Sequence, residues 1–143
     1  MVKVKFCGLK RPCDIAWANE LRPDYAGFVF AGKKRRVSDD QAAALRKALD
    51  PSIPAVGVFV DDSLKHIGQL VTAGTIQIVQ LHGCEDDAMI EAVQQTLKVR
   101  VIKAFSIASE ADVRPGAAGP TTSCSTTAPA GPGTVSTGPC WPI

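Results

Sequence analysis

Ile53–Leu81 reads IPAVGVFVDDSLKHIGQLVTAGTIQIVQL, and it decides the fold class. Ile53 to Val60 is a Val-rich, nearly continuous apolar run with the composition of a buried strand. Ser63 to Ala73 places Leu64, Ile67, Leu70 and Val71 on one helical face, and Gly74 supplies the stop. Ile76 to Leu81 is a second strand-like run. A strand, a helix and a further strand in so short a span make a parallel β-α-β unit.

The same alternation extends in both directions. Upstream, Val2 to Cys7 reads as a strand followed by Gly8, and Pro12 suits the first turn of a helix carrying Ile15, Trp17 and Leu21. Tyr25 to Phe30 (YAGFVF) is the next strand. Ser38 with Gln41 three residues later predicts a capping box opening a helix through Ala42, Leu45 and Leu49. Downstream, Glu85 to Leu97 reads as a helix, Val99 to Phe105 as a fifth strand, and Ser109 to Val113 as the start of another helix. Apolar strands each followed by a helix imply a parallel sheet covered by helices. An open doubly wound sheet and a (βα)8 barrel both satisfy that pattern, and periodicity does not choose between them. No Gly-x-Gly-x-x-Gly follows the first strand, which counts modestly against a dinucleotide-binding sheet.

Composition narrows the class. The chain has 143 residues, enough for one domain with a core, with 45% hydrophobic and 21% charged residues as in ordinary globular proteins. A net charge of +2 gives no reason to expect nucleic acid or an anionic membrane as partner. The run Lys33, Lys34, Arg35, Arg36 is short enough to be a solvated loop. No stretch is long and apolar enough for a transmembrane helix, and Met1 runs straight into a strand pattern, so a cytoplasmic protein without a signal peptide is expected. Cys7, Cys13, Cys84, Cys124 and Cys140 make an odd set without a Cys-x-x-Cys pair, so free thiols are expected. His66 and His82 lack the paired spacing of a zinc site, and no metal or organic cofactor is expected.

In either architecture ligands bind beyond the C-terminal ends of the strands. Cys7 and Gly8 stand there after the first strand, Lys33 to Arg36 after the second, and Asp61 after the third. Gln80 and His82 close the fourth strand and by alternation point to one side, while Lys103 lies within the fifth and reads as part of an inward-facing polar layer. A strand-end thiol can serve as a base when its surroundings favour the thiolate, or can be merely a small buried hydrophobe. A loop arginine can clamp a carboxylate or simply face water. The residues alone leave these alternatives open.

Together, however, they carry a resemblance. KFCGLKRPCD (Lys5 to Asp14) resembles the opening motif of phosphoribosylanthranilate isomerases, and YAGFVFAGKKRRVS (Tyr25 to Ser38) resembles their second strand and basic loop. VGVFVD (Val56 to Asp61), VQLHG (Val79 to Gly83) and VIKAF (Val101 to Phe105) match the next three strands in order and spacing. The resemblance implies an α/β (βα)8 TIM-barrel type fold, of which residues 1–113 hold the first five βα units, followed by an irregular tail over residues 114–143. It implies an Amadori rearrangement of N-(5-phosphoribosyl)anthranilate to 1-(2-carboxyphenylamino)-1-deoxyribulose 5-phosphate, a step of tryptophan biosynthesis needing no metal or organic cofactor. By the same resemblance Cys7 is the general base at the sugar C2, Arg35 holds the anthranilate moiety, and Gln80 and His82 line the site. The family's acid, an Asp ending the sixth strand, and its glycine-rich phosphate grip have no counterpart in this chain.

The segment Pro115 to Ile143 has no charged residue and no Leu, and is rich in Pro, Gly, Ser, Thr and Ala. Read one base out of register, the codons for Thr122 to Thr126 permit L-L-L-D, those through Gly133 permit N-G-A-G-G-T-G, and those for Val135 to Pro142 permit F-D-W-A-L-L-A. These resemble the family's acid, glycine loop and a later segment in order. The tail therefore reads as a disordered frameshift product. The 143-residue polypeptide alone is expected to be inactive and to self-associate through the open edge of its fifth strand. A non-catalytic half-barrel that binds a ligand or assembles with a second chain is the alternative.

Overall fold

Among the described residues, three of the four helices begin where a short polar side chain replaces a missing backbone partner. Ser38 Oγ accepts from Gln41 N at 3.2 Å, Ser63 Oγ from His66 N at 3.2 Å, and Asp86 Oδ1 from Met89 N at 2.9 Å. In the first helix Asp14, at the third helical position, reaches back instead: its Oδ2 accepts from Lys10 N at 3.0 Å and Arg11 N at 2.9 Å. The capping box expected at Ser38 is only half formed. Gln41 Nε2 donates to Lys10 O at 2.8 Å, tying the second helix to the loop after the first strand rather than to its own cap.

The computed structural model describes residues 2–106 and 122–126. Its elements run β1 (Lys5–Cys7), α1 (Pro12–Leu21), β2 (Tyr25–Val29), α2 (Asp39–Ala48), β3 (Ala55–Phe59), α3 (Leu64–Thr72), β4 (Ile78–Leu81), α4 (Asp87–Leu97), β5 (Arg100–Ser106) and β6 (Thr122–Thr126). Glu85, expected to open the fourth helix, lies before it because its side chain is engaged elsewhere. The helix expected at Ser109 to Val113 lies outside the described residues.

The described strands are all parallel, and their order in the sheet is β1-β2-β3-β4-β5-β6. That order decides between the two architectures left open by the sequence. A doubly wound sheet reverses direction at a switch point, whereas a barrel adds each strand on the same side of the last. The sheet is also curled. Strands lie about 4.8 Å apart, so a flat sheet would hold β1 and β4 about 14 Å from each other. Yet Lys5 Nζ of β1 donates to Gln80 Oε1 of β4 across the concave face. The fold is a partial (βα)8 barrel.

Beyond the fifth strand, Thr122–Thr126 pairs in parallel with Ile102–Ser106. The edge of β5, expected to stand open, is therefore covered along that stretch. A threonine-rich run suits a strand, and β5 offers the unpaired backbone groups that a further strand can take.

The core lies between the convex face of the sheet and the helices. Phe28, Ala55, Phe59, Val79, Leu81 and Val101 point outward from the strands and meet Ile15 and Ala18 of α1, Leu45 of α2, Ile67 and Leu70 of α3, and Val93 of α4. Phe30 stacks on Phe59 with centroids 5.0 Å apart. The alternate residues Lys5, Cys7, Val56, Val58, Ile78 and Gln80 share the concave face by register. Cys7 and Cys84 carry free thiols, but Cys13 is disulfide-bonded, contrary to the expectation of free thiols throughout.

Candidate functional site

Cys7 ends β1 on the concave face, and its thiol is free and exposed. It pairs with Gly27 on β2, where a Cβ would lie 3.1 Å from both Cα and Sγ of Cys7. The missing side chain at Gly27 is what gives the thiol its room. Gly8 then turns the chain at φ +86°, a left-handed conformation that glycine adopts without strain, and its N–H donates to Gly27 O at 2.9 Å.

Arg35 comes back over this turn from the loop after β2. A Cβ on Gly8 would lie 2.7 Å from Arg35 Cδ and 3.3 Å from its Nε. Arg35 thus lies with Cδ, Nε and Nη1 over the backbone beside Cys7, while the residue as a whole is exposed. Lys10 Nζ, donating to Lys34 O at 3.2 Å, ties the same two loops together.

Gln80 is 6% exposed on the concave face and accepts from Lys5, two residues before Cys7 on β1. His82 follows β4, its N–H donating to Phe59 O at 2.9 Å and its imidazole exposed. Among the described residues no side-chain hydrogen bond joins Cys7, Arg35, Gln80 and His82 to one another; they share a face and an end of the sheet. Gln80 and His82 stand two residues apart, but one is buried and the other exposed because the strand ends between them.

Lys103 is not in an inward-facing layer. It pairs with Leu81, which faces the helices, and so lies on the convex side. Its Nζ donates to Gly83 O and to Glu85 Oε2, both at 2.7 Å. Glu85 in turn accepts from Asp61 N and Gly83 N at 2.9 Å each, and Asp61 Oδ1 accepts from Cys84 N at 2.7 Å. This network pins the loops after β3 and β4, including the backbone around His82. Burial pushes the Glu85 carboxyl up, but the hydrogen bonds from Lys103, Asp61 and Glu85 backbone, with the Lys103 charge, bring it below its ordinary value.

The sequence reading missed Lys5 and Glu85 as members of the site's framework. The signal for Lys5 was present, since it shares a strand face with Cys7; that for Glu85 was obscured by its good fit to a helix pattern. Among the described residues no three or more His, Cys, Asp or Glu side chains are grouped to hold a metal ion, and no helix is long and apolar enough to cross a membrane.

Known proteins share this fold. A crystal structure of phosphoribosyl anthranilate isomerase from Thermotoga maritima superposes with a TM-score of 0.72 at 33% identity, covering 78% of this chain and 54% of that one. A structure of such an isomerase in complex with reduced 1-(o-carboxyphenylamino)-1-deoxyribulose 5-phosphate gives 0.72 and 33%, with 78% and 57% covered. The N-(5'-phosphoribosyl)anthranilate isomerase of Endomicrobium trichonymphae is 44% identical over 119 residues, 78% of this chain and 60% of the relative. That of Lachnoclostridium phytofermentans is 45% identical over 103 residues, with 72% and 47% covered. The chain thus spans about half the length of the relatives it matches. A family model described as N-(5'phosphoribosyl)anthranilate (PRA) isomerase matches residues 4–125, and with that match over most of its length the chain belongs to this isomerase family.

Proposed function

We propose that this chain supplies the base-bearing half of an isomerase site that converts N-(5-phosphoribosyl)anthranilate to 1-(2-carboxyphenylamino)-1-deoxyribulose 5-phosphate. Cys7 removes the C2 proton of the ring-opened sugar, Arg35 pairs with the anthranilate carboxylate, and Gln80 and His82 line the pocket. The single observation that carries this reading is the free, exposed Cys7 thiol at the end of β1 with Arg35 packed on the adjoining Gly8. A base and a carboxylate clamp stand side by side where barrel ligands bind.

The family's acid and phosphate grip fall outside the matched motifs, so turnover by the 143-residue polypeptide alone is expected to be undetectable. General acid–base catalysis contributes on the order of 10²–10⁴ in rate, and the loss of phosphate contacts adds a binding defect. We read residues 114–143 as translated out of frame. Resequencing the codons for Glu110 to Ile143 from the source DNA tests this: one additional base that restores L-L-L-D and G-G-T-G supports it, and an unchanged sequence removes it. A cytoplasmic location belongs to the same reading, whereas self-association through the edge of β5 does not, because Thr122–Thr126 pairs along it.

The function itself is tested by complementation. The chain is co-expressed with a polypeptide carrying strands six to eight of a relative, and loss of phosphoribosylanthranilate fluorescence is followed. Turnover with Cys7 and its loss in Cys7→Ser support the proposal. Ligand binding without turnover in the assembled complex favours the non-catalytic binding module instead.

A further inference from the structure

We propose that Lys5 is a positioning residue that fixes the side-chain amide of Gln80 so that its NH2 group, and not its oxygen, faces the ligand. The inference rests on the site reading given above. A lysine ammonium has three donors and no acceptor, so the atom of Gln80 that meets Lys5 Nζ is Oε1. An amide is planar, and with Oε1 held Nε2 points the other way.

Nε2 has no partner among the described residues. Gln80 is nevertheless only 6% exposed, and no fully buried side-chain nitrogen or oxygen among those residues lacks a partner. The residual exposure of Gln80 therefore includes Nε2. A nearly buried amide is held with its acceptor satisfied and its two donors open to the hollow of the sheet. Lys5 stands one pleat below Cys7 on the same face, so this donor addresses the floor of the pocket in which Cys7 meets the sugar. Its partner is an acceptor oxygen of the ribose chain. The carboxylate of the anthranilate is left to Arg35 at the mouth.

The geometry makes Gln80→Glu the informative substitution. Glutamate keeps an acceptor for Lys5 and nearly the same shape, but turns an acceptor toward the ligand where a donor stood. Binding to the 143-residue chain and its variants is read from the fluorescence of two probes, 1-(2-carboxyphenylamino)-1-deoxyribulose 5-phosphate and free anthranilate. Circular dichroism and cooperative unfolding confirm that each variant is folded. Gln80→Glu is expected to weaken the ribulose phosphate by about tenfold and to leave anthranilate within about twofold. Lys5→Met is expected to weaken the ribulose phosphate several-fold by letting the amide rotate, and Lys5→Arg, also donor-only, to restore most of it.

If the unaltered chain binds the ribulose phosphate and folded Gln80→Glu binds it equally well, Gln80 is not a donor and the inference fails while the site reading stands. Equal loss for both probes, or no change in Lys5→Met, overturns it as well. No binding of either probe to the unaltered chain overturns the site reading for this polypeptide and the inference with it.

Discussion

Nζ of Lys103 lies 2.7 Å from Oε2 of Glu85, with the two side chains 7% and 3% exposed. Neither charge has water to fall back on. The pair joins the strand β5 to the loop that follows β4, and the same carboxylate collects the N–H groups of Asp61 and Gly83.

Removing one partner is therefore expected to cost far more than the pair contributes. Lys103→Met leaves Glu85 buried and unpaired and should destabilise the fold by about 3–5 kcal/mol in urea unfolding. The double variant Lys103→Met with Glu85→Gln should recover part of that loss. A double variant no better than Lys103→Met would show that the methionine itself, not the orphaned charge, is the problem. The Glu85 carboxyl titrates lower in the folded chain than free, so its contribution is present above its ordinary value and disappears as pH falls through the folded one. Acid unfolding of wild type, set against Glu85→Gln, measures it.

His66 gives a dependence of the opposite sign. Its Nδ1 lies 2.8 Å from Asp62 Oδ2 and its Nε2 3.1 Å from Asp39 Oδ1, and the ring stands edge-on to Phe30 and Phe59. Burial opposes its charge, but the hydrogen bonds and charges of Asp62 and Asp39 outweigh it and raise its pKa. A raised folded pKa means that the contribution is complete below the free value of about 6.5 and is lost as pH climbs through the folded one. With Asp39 well exposed the contribution is at most about 1 kcal/mol. Wild type should lose more stability than His66→Gln between pH 6 and pH 9; equal loss would remove the ion pairs from the account.

The alternation of parallel strands and covering helices was legible in the sequence because the strands are nearly continuously apolar and the helices are apolar on one face only. Ile53–Leu81 could hardly be anything but β-α-β. Strand order was not legible, since a periodic pattern says which residues are buried and not which strand is the neighbour. Cys7 and Arg35 were singled out as candidates through motifs, and the bare turn at Gly8 is what brings Arg35 against the residue that follows Cys7. The face of Lys103 was misread. A lysine among apolar residues invites the hollow of the barrel, and only the register with Leu81 puts it on the helix side.

Gly57 tests the packing of that side. A Cβ there would lie 2.7 Å from Ile76 Cδ1 and 2.7 Å from Phe59 Cε2, inside a core with Phe59 fully buried. Gly57→Ala should destabilise by about 1–3 kcal/mol through overpacking, even though alanine is the better strand residue. A neutral or stabilising result in thermal unfolding would mean that Ile76 has room to move aside.

Gly8 is where stability and the site are tied most closely. Its φ of +86° excludes ordinary side chains, and Arg35 Cδ occupies the place a methyl would take. Gly8→Ala is therefore expected to cost about 1–2 kcal/mol from the left-handed backbone alone. It should also lift Arg35 off the turn. The two effects separate experimentally. Arg35→Ala leaves the backbone of Gly8 unstrained, so its unfolding midpoint should stay near that of wild type. Gly8→Ala should lower the midpoint and speed the modification of Arg35 by phenylglyoxal, followed at the peptide level. If Gly8→Ala unfolds like wild type and Arg35 reacts at its original rate, the turn is not what holds the arginine beside Cys7.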